Sequence, residues 1–111
     1  MAIEERLPEP YEILDLPDGG IAEMRVFGWR RGTMDIVNRA TGESKTIPAL
    51  RVIVDPAQKK TGPAYWDVTS KLLQAQLLEL FKMPQLTSYV FTVQKHGIAP
   101  SARFSVGVVK R

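Results

Sequence analysis

The sequence contains no cysteine and only one histidine, His96, in 111 residues. The absence of cysteine excludes disulfides, thiolate metal sites and cysteine nucleophiles. A single histidine cannot build a multi-histidine metal centre, and no His-Glu-x-x-His spacing occurs. We therefore expect neither a metal site nor a cofactor.

Long apolar runs are also missing, since every apolar stretch falls far short of the roughly 20 residues that cross a bilayer as a helix. The first residues read Met-Ala-Ile-Glu-Glu-Arg and lack the basic start and apolar run of a secretory signal. We therefore expect a cytoplasmic protein with no membrane partner. A hydrophobic content of 44% and a charged content of 24% are typical of a folded globular domain.

Catalytic motifs are absent as well. There is no Gly-x-Ser-x-Gly elbow, and Lys59-Lys60-Thr61-Gly62 lacks the spacing of a phosphate-binding P-loop. The acidic residues after position 23 are few: Asp35, Glu43, Asp55, Asp67 and Glu79. Their spacing does not require the convergence of carboxylates that a two-metal site needs, and Asp67 is expected to cap a helix. The sequence therefore predicts a protein that is not an enzyme.

Charge is divided unequally along the chain. Residues 1–23 hold seven acidic side chains and one arginine, a net charge of −6, whereas residues 24–111 hold 14 basic and five acidic side chains, a net charge of +9. A basic body of this kind attracts polyanions. The alternative is that dispersed lysines and arginines only keep the surface soluble. The acidic segment is expected either to lie on the basic face or to form a separate acidic lead-in.

One stretch, Arg25-Val26-Phe27-Gly28-Trp29-Arg30-Arg31, combines rings with cations. Read as a β-strand, it puts Arg25, Phe27, Trp29 and Arg31 on one face, because successive side chains alternate. Rings interleaved with guanidinium groups suit stacked bases and paired phosphates. The alternative is that the two rings belong to the core and the arginines lie at its rim. A glycine in mid-strand indicates a bulge, a bend or a close backbone approach.

Alternation and turn signals predict strands over residues 21–31, 33–39, 44–54, 88–96 and 102–110, with a short strand over residues 11–16. The spacing of Leu73, Leu77, Leu80 and Phe81 predicts a helix over residues 68–82, capped by Asp67 or Thr69. We expect this leucine stripe to plug the sheet. Residues 1–20 are expected to form an acidic lead-in, and residues 21–111 a single domain.

The main elements follow the order β-β-β-α-β-β. This order is typical of the OB-fold, a small five-stranded antiparallel Greek-key barrel. We therefore predict a mainly β protein, an OB-like β-barrel with one helix, behind the acidic lead-in. The alternative is an open antiparallel sheet with the helix on one face.

Three segments carry a resemblance to a known class of proteins: Tyr65-Trp66-Asp67-Val68-Thr69-Ser70-Lys71-Leu72, Val90-Phe91-Thr92-Val93-Gln94-Lys95-His96-Gly97 and Ala102-Arg103-Phe104-Ser105-Val106. Together they resemble the second half of OB-fold single-stranded DNA-binding proteins encoded by phages and archaea. In those proteins a strand ending in a basic residue and glycine leads through a short turn into a last strand that bears an aromatic residue. The resemblance implies single-strand binding across the face formed by the middle strands.

Candidate nucleic-acid-binding residues combine the rings with nearby cations: Arg25, Phe27, Trp29, Arg31, Arg39, Arg51, Lys59, Lys60, Lys95 and Arg103. Trp29 is the ring expected to meet a base. Arg25, Arg31 and Arg51 are expected to position the nucleic-acid backbone. The loop at residues 59–60 is expected to close over the strand.

These residues predict non-catalytic binding of single-stranded nucleic acid, with DNA as the first choice, by a protein expected to form a small homo-oligomer. Phe91 and Phe104 are assigned to the core. The alternative is a protein-interaction or structural module that binds no nucleic acid. In that case the rings of the long strand form a partner interface, where tryptophan and arginine are typical anchors.

Overall fold

A computed structural model of the chain describes residues 5–38, 40–59, 61–98 and 102–110. The elements are β1 (Ile21–Val37), β2 (Ser44–Val54), β3 (Tyr65–Val68), α1 (Lys71–Leu80), β4 (Tyr89–His96) and β5 (Arg103–Lys110). Two short 3-10 helices, Pro56–Gln58 and Leu86–Ser88, lie in the connections. Within the described ranges, no helix has the length and apolar character needed to cross a membrane.

The five strands form one antiparallel sheet in the order β3-β2-β1-β4-β5. β1 serves both halves of this sheet, because residues 21–25 pair with β4 and residues 26–37 pair with β2. The predicted order of three strands, one helix and two strands is confirmed. No pairing joins β3 to β5 among the described residues, so the sheet is open and the predicted barrel is not confirmed.

The strands before the helix differ from those predicted. Residues 21–31 and 33–39 were predicted as two strands, but a continuous ladder runs from Gly28 to Val37 and makes them one. The third strand is instead Tyr65–Val68, where the sequence predicts no strand and expects the helix to begin at residue 68. The short strand predicted over residues 11–16 is reduced to an isolated bridge between Ile13 and Asp67.

Phe27 interrupts the alternation of β1. Val26 lies opposite Val54 and Gly28 lies opposite Ile53, so β1 contains one more residue than β2 at this point. Such an extra residue is a β-bulge, which bends the strand and shifts which side chains face the core.

The bulge divides the aromatic and basic side chains of β1 between the two faces of the sheet. Trp29 lies opposite Val52, a residue of the main core, and therefore shares its face. Arg25 follows the core residue Met24 and therefore points to the opposite face. The prediction of one shared face is wrong for the set Arg25, Phe27, Trp29 and Arg31, because the extra residue shifts the alternation by one.

The helix begins later than predicted. The hydroxyl of Ser70 accepts a hydrogen bond from the Leu73 amide at 3.3 Å, so Ser70 is the N-cap of α1. Asp67 and Thr69, the predicted caps, are not used. Asp67 belongs to β3, where its carboxylate is fully buried.

α1 lies between the two ends of the open sheet. Gln74 Nε2 donates to the carbonyls of Pro48 at 3.2 Å and Val68 at 2.9 Å. Gln76 Nε2 donates to the carbonyl of Phe104 in β5 at 3.5 Å. The helix therefore bridges the β2–β3 end of the sheet to β5 and fills the gap that a closed barrel would bridge by strand pairing.

The main apolar cluster lies between α1 and the sheet. Its buried members are Leu14, Met24, Val26, Leu50, Val52, Val54, Val68, Leu73, Leu77, Phe81, Phe91 and Val93. The leucine stripe therefore plugs the sheet, as predicted. Phe91 is fully buried and Phe104 is partly buried against the cluster, so both core assignments are confirmed.

A second apolar cluster lies on the opposite face of the sheet and is formed with the N-terminal segment. Leu7, which is 1% exposed, packs there with Met34 and Ala49. We call residues 5–14 the strap, because they cross this face from β1 to β3. The acidic lead-in therefore contributes side chains to the folded core.

Backbone hydrogen bonds hold both ends of the strap. Thr33 in β1 donates to Glu5 and accepts from Leu7, at 3.0 and 2.8 Å. Asp67 in β3 donates to Glu12 and accepts from Leu14, at 2.7 and 3.0 Å. The strap thus supplies a short parallel bridge to β1 and covers the outer edge of β3.

Candidate nucleic-acid interface

Residues 27–31 of β1, which we call the bulge segment, bring two large rings and two arginines to the surface. Phe27 is 49% exposed and Trp29 is 43% exposed. β4 pairs with β1 only as far as Arg25, and the strap bridges β1 at Thr33. The bulge segment lies between these two attachments, which explains why large side chains are exposed there.

Trp29 is held in place by a stack of rings. Its ring lies 6.1 Å from that of Phe81, with an angle of 25° between the planes. Phe81 in turn meets the buried Phe91 edge to face, at 5.5 Å and 82°. The indole is therefore oriented from the core side while much of its surface stays open. A ring fixed in this way loses little conformational entropy when a base stacks on it.

Beside Trp29, the face of the sheet away from α1 is open and apolar at Gly28. Gly28 lies opposite Ile53, which is 42% exposed. A methyl group added at Gly28 would meet only the Cδ1 atom of Ile53, at 4.0 Å. The glycine is therefore not required by close packing, and it leaves room for a ligand to approach the backbone.

Two arginines follow the rings. Arg30 Nη2 lies 3.4 Å from Glu5 Oε2 of the strap, in a pair whose side chains are both largely exposed. Arg31 is exposed on the helix side, opposite Leu50. The bulge segment therefore presents one cation on each face of the sheet: Arg31 on the face of Trp29, and Arg30 on the face of the strap.

Arg51 does not belong to this surface. It is 6% exposed, and its Nε and Nη2 atoms donate to Asp67 at 2.7 and 3.1 Å. Its guanidinium lies 4.0 Å over the ring of Tyr65. Burial alone would lower the pKa of Arg51, but hydrogen bonding and attraction to Asp67 outweigh it and raise that pKa. The prediction that Arg51 contacts phosphate is wrong, because an internal carboxylate already binds it.

Lys59 is likewise held inside the protein. It is 8% exposed, and its Nζ lies 2.8 Å from Glu12 Oε1 and 2.7 Å from the Pro63 carbonyl. The same ammonium lies 4.5 Å over the ring of Trp66. The predicted closure of residues 59–60 over a bound strand is therefore contradicted for Lys59. The other lysine of that loop, Lys60, lies outside the described residues.

The remaining predicted cations are not gathered at the bulge segment. Arg25 is half-buried on the face away from α1, and its buried Nε has no hydrogen-bond partner among the described residues. Lys95 and Arg103 lie near the β4–β5 turn, roughly 25 Å along the sheet from Trp29 at the usual strand rise. Arg39 lies outside the described residues.

Sequence reasoning missed the strap. The resemblance implies binding across the face of the middle strands, but the strap covers part of that face through Leu7, Met34 and Ala49. The sequence feature that could have indicated the strap is the pair of leucines, Leu7 and Leu14, in an otherwise acidic segment. Both are buried in the apolar clusters. The strap can lie this close to β1 only because residue 32 is glycine. A Cβ at that position would lie 2.6 Å from the Glu5 carbonyl oxygen.

The chemistry of this arrangement is surface recognition by rings and cations. The described part of the chain encloses no pocket and gathers no group of three or more acidic or histidine side chains fit to hold a metal ion.

Comparisons with protein-family models, with curated proteins and with solved structures found no match.

Proposed function

We propose that the protein binds single-stranded nucleic acid on the bulge segment. In this proposal a base stacks on Trp29, and Arg31 contacts a phosphate on the same face of the sheet. Arg30 lies on the opposite face and contacts the next phosphate across the edge of β1 that neither β4 nor the strap covers. The observation that carries it is the ring of Trp29, which is stacked on Phe81 and yet 43% exposed. Stacking on an aromatic ring contributes about 1–3 kcal/mol per base and tolerates any sequence.

The topology supports the same function. The order β3-β2-β1-β4-β5 leaves β3 and β5 as the two edges that a five-stranded barrel would pair. We assign the chain to the OB-like architectures, in a form opened at this seam with α1 between the two edges. OB-folds are partly open barrels, and many bind oligonucleotides on a sheet face.

A single strand is favoured over a duplex by the kind of contact available. Rings on a sheet stack on bases that are already unpaired, whereas a duplex buries its base faces against one another. In the part of the chain that the structure describes, no element is a candidate recognition helix for a major groove. We therefore expect affinity that falls with salt, since phosphate contacts release counterions, and little preference for base sequence.

Replacing Trp29 with alanine is expected to weaken binding of a labelled oligo-dT about tenfold, a loss of about 1.4 kcal/mol. The stack on Phe81 is lost as well, which lowers the free energy of unfolding by about 1 kcal/mol. Fluorescence anisotropy at low and moderate salt, with a matched duplex and an oligo-U, measures the affinities. Leu72→Ala is the control, because Leu72 is 56% exposed on the helix. Wild-type protein that shows no preference for the single strands contradicts the proposal.

Intrinsic fluorescence gives a second readout, because the chain has two tryptophans. Oligo-dT is expected to quench the emission of the wild type and of Trp66→Phe, in which only Trp29 remains. It is expected to leave the emission of Trp29→Phe almost unchanged, since Trp66 is partly buried beneath Lys59. Equal quenching of the two variants argues against stacking on Trp29.

Glu5→Gln is expected to tighten binding about twofold, because its carboxylate competes with phosphate for Arg30. Glu9→Gln is the matched control. Glu9 lies on the same strap and is exposed, and its substitution removes the same charge. Titrations of oligo-dT at equal salt measure both variants. Equal affinities would show that only the total charge matters, and the contact with Arg30 would then have no role in binding.

A protein partner is the second candidate, favoured by the exposed Ile53, which adds apolar surface to the bulge segment on the face away from α1. Tryptophan and arginine are the usual anchors of such interfaces. Purified protein that carries no nucleic acid, judged from its absorbance ratio at 260 and 280 nm, and that binds no oligonucleotide at either salt would favour this candidate.

A further inference from the structure

The outer edge of β5 pairs with none of the described strands. Among the described residues, the other terminal strand, β3, has its outer edge covered by the strap through the bridge between Ile13 and Asp67. Among the described strands β5 pairs only with β4. α1 also packs close to β5, and Gln76 donates to the Phe104 carbonyl. Most of the outer edge of β5, a strand of eight residues, is therefore not covered by any described strand.

The register shows which backbone groups point outward from β5. Lys95 lies opposite Phe104, and its own N–H and C=O groups bond to Gly20 and Gly19, on the side away from β5. Such a pair is of the type without mutual hydrogen bonds, so the N–H and C=O of Phe104 also point outward. The contact from Gln76 to the Phe104 carbonyl agrees with this. By alternation, the backbone groups of Val106 and Val108 point outward too.

The chemistry of this edge favours pairing. Natural edge strands usually carry charges, proline or a bulge that prevent another strand from adding. Between Arg103 and Lys110, β5 contains no charge and no proline, and its register with β4 is unbroken. Its inner row, Phe104, Val106 and Val108, is only partly buried. Residues 104–109 therefore contain no charge, proline or bulge that opposes a further strand. The Phe104 carbonyl accepts from Gln76 and keeps a second lone pair for a strand partner.

We infer that β5 pairs antiparallel with β5 of a second copy of the chain, joining the two sheets across a twofold axis. With Val106 on the axis, Phe104 lies opposite Val108 of the second copy, and Ser105 lies opposite Gly107. Arg103 then lies opposite Val109, which is 52% exposed and can be covered by the arginine stem. No cation faces a cation, so the strand is complementary to itself, as a twofold interface requires.

Val106→Pro tests the interface. The substitution removes an N–H that points outward, so the ladder between β4 and β5 keeps its hydrogen bonds, and proline is accepted at such edge positions. Sedimentation velocity over a range of concentrations is expected to show dimers for the wild type and monomers for Val106→Pro. Val37→Thr is the control, because Val37 is 64% exposed at the end of β1 that pairs with β2 and lies outside the proposed interface; it is expected to dimerise. Circular dichroism checks that each variant is folded.

Hydrogen exchange of the wild type, followed by NMR, tests the same interface without a variant. The amides of Ser105 and Gly107, which bond to β4, are expected to be protected at all concentrations. Those of Val106 and Val108 are expected to become protected only as the dimer forms. A wild type that stays monomeric at every concentration, or a folded Val106→Pro variant that dimerises as the wild type does, would overturn the proposal. No nucleic acid is needed for either experiment.

Discussion

Replacing Asp67 with asparagine is expected to lower the free energy of unfolding by about 3–5 kcal/mol, the usual cost of breaking a buried ion pair from one side. The Asp67 carboxylate is fully buried and accepts hydrogen bonds from Arg51 and from the Glu12 amide. An asparagine of the same size keeps the volume but removes the negative charge. The guanidinium of Arg51 then remains buried without its counter-ion.

This loss is expected to affect more than one contact, because the carboxylate joins three parts of the fold. It lies in β3, binds Arg51 of β2 and holds the strap through the Glu12 amide at 2.7 Å. Urea denaturation followed by circular dichroism measures the change. The two partners are 16 residues apart in the sequence, so only the folded sheet brings them together.

Glu79→Gln is the matched control for this experiment. Glu79 pairs with Lys82 at 3.1 Å, but both side chains are about three-quarters exposed. Exposed pairs of this kind contribute no more than about 0.5 kcal/mol. A similar loss of stability for Asp67→Asn and Glu79→Gln would show that the buried pair does not hold the sheet and the strap together.

Replacing Gly32 with valine is expected to displace the strap and lower the free energy of unfolding by about 3 kcal/mol, through overpacking and loss of buried apolar area. A Cβ at Gly32 would lie 2.6 Å from the Glu5 carbonyl oxygen and 2.8 Å from the side chain of Leu7. Leu7 is fully buried, so it cannot move aside without leaving the second apolar cluster. Valine itself suits a strand, so the loss comes from the strap.

Limited trypsin digestion reports the displacement directly, because Arg6 lies on the strap. Cleavage after Arg6 is expected to be much faster in Gly32→Val than in the wild type. Gly107→Ala is the control, since a Cβ there meets nothing within 4 Å. If Gly32→Val is as stable and as resistant to cleavage as Gly107→Ala, the strap does not depend on the close approach at Gly32.

Several features follow from local sequence alone, because each depends on neighbouring residues. The spacing of Leu73 and Leu77 predicts the buried side of α1, and alternation predicts β4 and β5 almost to their ends. The absence of cysteine excludes disulfides without any structure. These patterns repeat at the period of the helix or the strand, which is a property of the backbone and is independent of distant partners.

The candidate interface was predicted only in part. The sequence identified the stretch that contains Trp29, but the bulge at Phe27 decided which face each side chain meets. It identified Arg51 and Lys59 as candidate nucleic-acid contacts. In the fold, Arg51 pairs with the carboxylate of Asp67 and Lys59 pairs with that of Glu12. No local pattern distinguishes a lysine that meets solvent from one that meets a carboxylate far along the chain.

By itself, then, the sequence determined α1, β4 and β5, the basic character of the chain after its acidic start and the identity of the rings. The tertiary structure alone decided that the sheet stays open around α1, that the strap covers one face, and that Trp29 stays half-exposed on Phe81. The physical reason is that these features depend on contacts between segments far apart in the chain. Such contacts are set by which surfaces fit when all the elements pack together.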